Sequence, residues 1–271
     1  MVFVFELFGI PLFGLFSSYY EGAPWTAGKL VDFKKEEWLS RVKGDKSFPR
    51  QALQEIIRNY KPDIIIHLAA MTDVDGCEKT PEIAFDVNVK ATENLLTSFK
   101  GKFIYISTDY VFDGEKGPYF EDDKVNPMSV YGKTKLYGEN LVQQSDIDWV
   151  ILRSNIIFSY SDRTKASFVN WVVDSLKKRQ MITVVNDQWN NPTWTNDLAK
   201  VISKIIEKDI NGLYHYGGRD YLNRLEFAKM IASTFGLDGS LIKPITTSEL
   251  NWLAQRPLKS CLLYTSDAAD E

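Results

Sequence analysis

An α/β fold, a doubly wound parallel sheet with a smaller and mainly C-terminal second part, is what this sequence predicts. Three observations carry the prediction: short apolar runs rich in β-branched residues at 62–70, 102–108 and 148–155, helical patterns between them, and a change of rhythm after residue 155. Runs of that kind suit strands buried on both faces. Strand, helix, strand in steps of roughly twenty to forty residues forces parallel strands joined by right-handed crossovers.

The chain opens with MVFVFELFGIPLFGLFSSYY, which predicts a buried first strand, a loop and the start of a helix. A targeting segment is the competing reading, but no basic residue precedes the apolar run and Glu6 interrupts it. The run is also too short to span a membrane. Asp32 in KLVDF falls at the end of a second strand. PDIIIHLAA at 62–70 is the next strand, with His67 read as a half-buried strand residue. In TPEIAFDVNVKATENLLTSF, Thr80 is placed as N-cap and Pro81 at the first helical position, with Ile83, Val87, Ala91 and Leu95 at helical spacing. KFIYIST at 102–108 is a strand, NPMSVYGKTKLYGENLVQQ a helix, and DWVILRSN at 148–155 a strand again.

Beyond residue 155, helical segments near 165–179, 195–208 and 223–236 alternate with polar, aromatic stretches such as NDQWNNPTWTND. No Gly/Ser linker separates the two parts, so the second packs directly on the first, with some interleaving. The expected division is a sheet domain over 1–155 and a smaller part over 156–260. The last eleven residues, CLLYTSDAADE at 261–271, resemble the translation of a sequencing-library adapter and read as a non-native tail.

With 271 residues, 44% apolar and 25% charged, the chain has enough apolar surface for a core, which excludes a disordered protein. A formal net charge of -4 with both signs mixed leaves no basic stripe for nucleic acid and no polybasic segment for a membrane surface. Two cysteines, Cys77 and Cys261, give neither a disulfide framework nor metal-ligand spacing, as expected of a cytoplasmic protein without a metal. Cys77 reads as a small core residue.

Chemistry enters at SVYGKTKLYGE, 129–139. Tyr131 and Lys135 stand four residues apart and share one helix face. With thirteen tyrosines in the chain, about one such pair is expected by chance. Position strengthens the pair: Tyr131 lies near the start of the helix that follows the strand ending in Ser107 and Thr108. In a doubly wound sheet strand ends and following helix starts share one side, where ligands bind. A cation near the phenol lowers its pKa from about 10 toward neutrality. A hydroxyl from Thr108 and a phenol from Tyr131 converging on one carbonyl oxygen is a layout for hydride transfer, in which a cofactor carries the chemistry and the protein supplies the proton.

STDYVFDG at 107–114, YGKTK at 131–135, HLAAMTDVDGCE at 67–78 and VNVKATENL at 87–95 together resemble the extended short-chain dehydrogenase/reductases. The nearest group is the dTDP-4-dehydrorhamnose reductase family, which also includes the regulatory beta subunit of methionine adenosyltransferase. The resemblance covers about residues 60–260. It implies a Rossmann-like fold, NADPH or NADH as cofactor, a nucleotide-sugar substrate and a homodimer. By motif it assigns Thr108, Tyr131 and Lys135 as catalytic, and Ala69, Ala70, Met71, Thr72 and Asn88 to the cofactor side, together with Tyr131 and Lys135. Asp109 and Thr108 become substrate contacts. So do Trp189 and Pro192 of DQWNNPTW at 187–194 and Ile156, which stands where the family has an aromatic residue against the sugar.

The family's GxxGxxG phosphate loop has FELFGIPLFGLF in its place here. Gly9 and Gly14 are the cofactor glycines of this stretch, yet neither register supplies all three glycines, and Phe8 or Pro11 would crowd a pyrophosphate. The resemblance implies reduction of the 4-keto group of a nucleotide-linked deoxy sugar. A non-catalytic regulatory protein of the same fold and a sugar-nucleotide epimerase or dehydratase are the alternatives.

Overall fold

A computed structural model of the chain describes residues 2–6, 29–32, 48–160 and 167–263. Gly9 and Gly14 lie outside the described residues. The main sheet comprises β1 (Val2–Glu6), β2 (Lys29–Asp32), β3 (Ile64–His67), β4 (Lys102–Thr108), β5 (Trp149–Ser154) and β10 (Gly212–Tyr216). Its order is β10-β5-β4-β3-β1-β2, and every pairing is parallel. Asp32 ends β2, as expected.

Alternation along the strands explains both buried faces. Ile65, Phe103, Tyr105 and Ile151 point one way and pack with Leu53 and Ile57 of α1 (Phe48–Tyr60), Leu95 of α4 (Ala91–Ser98) and Val142 of α5 (Val130–Gln143). Ile66, Ile104, Ile106, Val150 and Leu152 point the other way, onto Leu198, Ile202 and Ile205 of α7 (Thr195–Glu207). Period-2 runs of this kind, apolar at every position, bury both faces of a sheet at about 25 cal/mol per Å². His67 is fully buried, not half-buried: its Nε2 lies 3.0 Å from the Thr92 hydroxyl.

Two short helices lie between β3 and α4: α2 (Val74–Lys79) and α3 (Pro81–Phe85), the latter running through a π-helical turn at Asp86–Lys90 into α4. Thr80 does occupy the N-cap of α3, but its hydroxyl donates backward to the Gly76 carbonyl at 3.0 Å instead of capping. The smaller part holds α6 (Phe168–Lys177), β7 (Ile182–Val185), α8 (Arg224–Thr234) and β12 (Ile242–Ile245), which share a third apolar cluster. Short strands β6 (Ile157–Phe158), β8 (Trp189–Asn190), β9 (Thr193–Trp194) and β11 (Leu222–Asn223) link it to the sheet side. The interleaving is extensive: α7 and β10 belong to the sheet layers although they follow residue 155.

The first three of the final residues pack against the fold. Leu262 is buried against Val111, Phe112 and Tyr119. The Tyr119 N–H donates to the Cys261 carbonyl and the Leu263 N–H to the Tyr119 carbonyl, each at 2.9 Å. Backbone pairing asks for no particular side chain, so an unpatterned segment can still be tied to Tyr119 by an isolated parallel bridge.

A latch ties the late chain to α2. Asp75 pairs with Arg256 at 3.0 Å and accepts from the Leu253 and Ala254 N–H groups, while the Arg256 guanidinium stacks 3.7 Å from the Trp252 ring centroid. Burial alone would raise the Asp75 pKa, but Arg256 and the two N–H groups outweigh it and hold it below the usual carboxylate range. A depressed folded-state pKa gives stability that is present above the unfolded value and lost as pH falls through the folded one. Asp75→Asn is therefore expected to lower Tm by roughly 2–4 °C at neutral pH, with the difference shrinking on acidification, in thermal unfolding followed by circular dichroism.

Candidate active site

The carboxyl ends of β3, β4 and β5 open onto a cavity of about 340 Å³. Ala70 and Thr72 line it from the β3 end, Thr108 and Asp109 from β4, Tyr131 and Lys135 from α5, and Asn155 and Ile156 from β5. Parallel strands place these ends side by side, with Thr108 in register with Ser154. Helix α5 starts at the same edge because Ser129 caps it, accepting from the Gly132 N–H at 3.1 Å. Gly132 itself passes so near the Tyr110 carbonyl that a Cβ would stand 2.2 Å from that oxygen, which keeps α5 close to the β4 end.

Thr108 donates to Asp109 Oδ1 at 3.1 Å and accepts from the Tyr110 N–H at 3.2 Å, and its hydroxyl pulls the Tyr131 pKa down. Asp109 is almost fully buried and also accepts from the Ser260 hydroxyl at 2.5 Å. Burial pushes its pKa up to about 6 against the pull of Ser260, Thr108 and Arg224. Lys135 donates from Nζ to the Ile106 carbonyl at 2.7 Å and sits 4.0 Å from the Tyr105 ring centroid. Burial lowers its pKa to about 7, opposed by Glu139.

The expected effect of Lys135 on Tyr131 is reversed here. The phenol pKa is raised well above its ordinary value, first by burial and then by the Asp109 carboxylate, with the Thr108 hydrogen bond opposing. The ammonium donates to the Ile106 carbonyl, and burial together with the Asp109 charge sets the direction of the phenol's shift. Tyr131 consequently stays protonated through neutral pH.

Asn88 stands behind the site, not in it. It accepts from the Met71 N–H at 2.7 Å, donates to the Met71 carbonyl at 3.3 Å and to the Thr134 hydroxyl at 2.9 Å. The π-helical turn that contains Asn88 is of the kind often found at functional positions. It turns a buried amide toward the 70–72 loop and fixes that loop against α5. Ala69 is buried in the sheet core and Met71 packs beside it, so of the four loop residues Ala70 and Thr72 face the cavity.

Trp189 and Pro192 do not line the cavity; Gln188 and Asn190 do. In the extended strand β8 alternate residues face opposite ways, and the Trp189 ring lies against Tyr221 at 5.2 Å. Ile156 lines the cavity from a left-handed backbone conformation, φ 37°, that a β-branched residue rarely adopts. Arg224 lines the cavity and was absent from the sequence reading. Arg224 carries a local signal, because the Asn223 and Glu226 capping box marks the start of α8 and fixes the residue between them.

Residues 41–270 match the family model of the RmlD substrate binding domain. The chain belongs to this family. Among its RmlD-type relatives, methionine adenosyltransferase 2 subunit beta from Danio rerio is 34% identical over 213 residues, 76% of this chain and 66% of that protein. The chain thus spans about two thirds of the length of that relative. A probable low-salt glycan biosynthesis reductase from Haloferax volcanii is 32% identical over 77% of this chain and 71% of its own length. A crystal structure of dTDP-4-dehydrorhamnose reductase from Bacillus anthracis in complex with NADP superposes with a TM-score of 0.82 at 28% identity, covering 97% of this chain and 90% of that one. The Rossmann-type parallel sheet of the RmlD-type chain is therefore shared with solved reductases. Among the described residues there is no cluster of metal-ligating side chains, and no helix is long and apolar enough to cross a membrane.

Proposed function

We propose that this protein reduces the 4-keto group of a nucleotide-linked deoxy sugar, with NADPH or NADH as the cofactor. The observation that carries the reading is the convergence of Thr108, Tyr131 and Lys135 on one cavity at the carboxyl ends of β3, β4 and β5. The residues present fit a nicotinamide cofactor: Lys135 spends one of its three donors on Ile106 and presents the ammonium to the cavity, where a ribose hydroxyl can accept from it. The Ala70 and Thr72 turn, pinned through Met71 by Asn88, offers a fixed wall beside it. The Bacillus anthracis reductase, crystallised with NADP, supports the same assignment.

When bound, the reduced nicotinamide supplies a hydride to the carbonyl carbon. The chain's own groups manage the oxygen. Thr108 holds it by turning its one hydroxyl hydrogen from Asp109 to the substrate oxygen, and Tyr131 delivers a proton to that oxygen as the C=O bond becomes C–O. A phenol that remains protonated at neutral pH is in the correct state for that role, because reduction starts from the acid form. Lys135 positions the ribose, and burial of the site excludes water from the transfer.

Titration of the purified protein with NADPH and then NADH, followed by nicotinamide fluorescence, tests the cofactor half of the proposal. Micromolar binding is expected, weakened roughly tenfold or more in Lys135→Met. A folded sample that binds neither nucleotide contradicts it. The likeness to methionine adenosyltransferase 2 subunit beta supports a second reading, a regulatory protein that does not turn over a sugar. The two readings part at turnover.

A further inference from the structure

A second cavity, of about 430 Å³, lies beside the sheet edge and shares no lining residue with the active-site cavity. Its floor follows from strand parity. Leu152 of β5 and Tyr214 of the edge strand β10 are register partners, and Tyr216 stands two residues on, so all three side chains point to the α7 face. Helix α7 supplies one wall, where Asp197, Lys200, Val201 and Lys204 share a face at three- and four-residue spacing. The apolar cluster on this side of the sheet draws on no described helix besides α7, so β10 keeps an open floor next to that wall. The 217–219 segment, with Arg219, borders the other side. An apolar and aromatic floor with a few polar groups at its margin is the make-up of a small-molecule pocket, and the volume is in the usual range. The charges collect at the margin: three cations, Lys200, Lys204 and Arg219, against two carboxylates, Asp197 and Glu121. Asp197 pairs with Lys200 at 3.1 Å. Glu121 accepts from the His215 N–H at 2.9 Å and so caps the open edge of β10 there. Among the described residues no carboxylate pairs with Lys204 or Arg219, which both stand exposed.

We propose that this cavity is a second ligand site, for a small aromatic anion: the ring system lies on Leu152, Tyr214 and Val201, and the anionic head meets Lys204 and Arg219. Tyrosine rings favour an aromatic body, which they can meet edge-on or in offset stacking. The two cations left over at the margin favour a negative head, because a neutral or cationic molecule of the same size forgoes that attraction. Other occupants fit less well. A peptide added as a strand would need the His215 N–H, which Glu121 already holds. A second copy of the chain on the same face would bring like cations together. The proposed reduction uses none of these residues, so the inference stands apart from the reductase reading.

Fluorescence titration of the full chain with anilinonaphthalene sulfonate, an aromatic sulfonate that brightens on leaving water, tests the site with and without NADPH. Saturable binding of a single equivalent that NADPH does not displace is expected. Reversing both exposed cations, Lys204→Glu with Arg219→Glu, is expected to weaken it roughly tenfold, with the difference shrinking as salt rises. Phenylnaphthylamine, the same rings without the sulfonate, is expected to bind wild type and the reversed protein within about twofold of each other. Val201→Trp, which fills the cavity from α7, is expected to abolish binding of both probes while circular dichroism shows a native fold. Sulfonate binding that is equal in wild type and the reversed protein overturns the proposal, as does binding that survives Val201→Trp. So does displacement by NADPH, which would put the probe in the cofactor site, or an absence of saturable binding to the wild type. Should Val201→Trp not fold, the charge reversal at two exposed positions decides alone.

Discussion

Tyr131→Phe is expected to lower kcat by about 10²- to 10⁴-fold while leaving NADPH affinity within about twofold. The substitution removes one oxygen and little else. Tyr131 packs edge-on against Tyr110, ring centroids 5.5 Å apart at 72°, and a phenylalanine keeps that contact. What is lost is the acidic proton at the place where the substrate oxygen must be protonated. Because the phenol is held protonated, the wild-type reduction rate is expected to show no phenol titration around neutral pH. Steady-state kinetics across pH on the wild type and Tyr131→Phe, with cofactor binding measured separately, check both points. Near-normal turnover in the variant would remove Tyr131 from the chemistry.

A second large effect is expected in stability. Glu139 and Arg153 are 1% and 3% exposed and form a two-point ion pair, Nε to Oε1 at 2.9 Å and Nη2 to Oε2 at 2.7 Å. The Ser107 hydroxyl donates to the same carboxylate at 2.5 Å, and Arg153 Nη1 reaches the Glu121 carbonyl and His215 at 3.4 and 3.3 Å. Replacing the pair by apolar groups can be close to neutral, but removing one member leaves an uncompensated charge under the sheet edge. Arg153→Met is expected to cost about 3–5 kcal/mol, and Glu139→Gln with Arg153→Met together less than Arg153→Met alone. Thermal and denaturant unfolding of the three variants provide the cycle. A loss under about 1 kcal/mol in Arg153→Met would mean that the pair is not a structural support. Glu139 also favours the charged form of Lys135, so its neutral variant is expected to weaken cofactor binding even where the fold survives.

Much of this was legible in the chain because the physics involved is local. A strand buried on both faces must be apolar at every position, and KFIYIST and DWVILRSN show that without any neighbour. Tyr131 and Lys135 could be placed because a parallel sheet fixes which side carries strand ends and helix starts. What escaped depends on contacts between distant segments. The raised pKa of Tyr131 comes from burial and from Asp109, neither of which the four-residue spacing contains. In the 187–194 segment the aromatic residue seemed the natural ligand contact, whereas strand parity turns Gln188 and Asn190 to the cavity and Trp189 away. Arg224 is about ninety residues from the Tyr131 motif. Its helix start is readable, but the wall it joins is not. Ser260 reaches Asp109 across an even longer separation.

The most direct measurement is turnover: the purified protein with NADPH and dTDP-4-dehydrorhamnose, following loss of the reduced nicotinamide and identifying the sugar product by mass and stereochemistry. Oxidation of one NADPH, or one NADH when that is supplied instead, per 4-hydroxy sugar formed, slowed by about 10²-fold or more in Tyr131→Phe, is the expected result. A folded protein that binds NADPH and the nucleotide sugar yet forms no reduced product would contradict the assignment of Thr108, Tyr131 and Lys135 as a working reductase site.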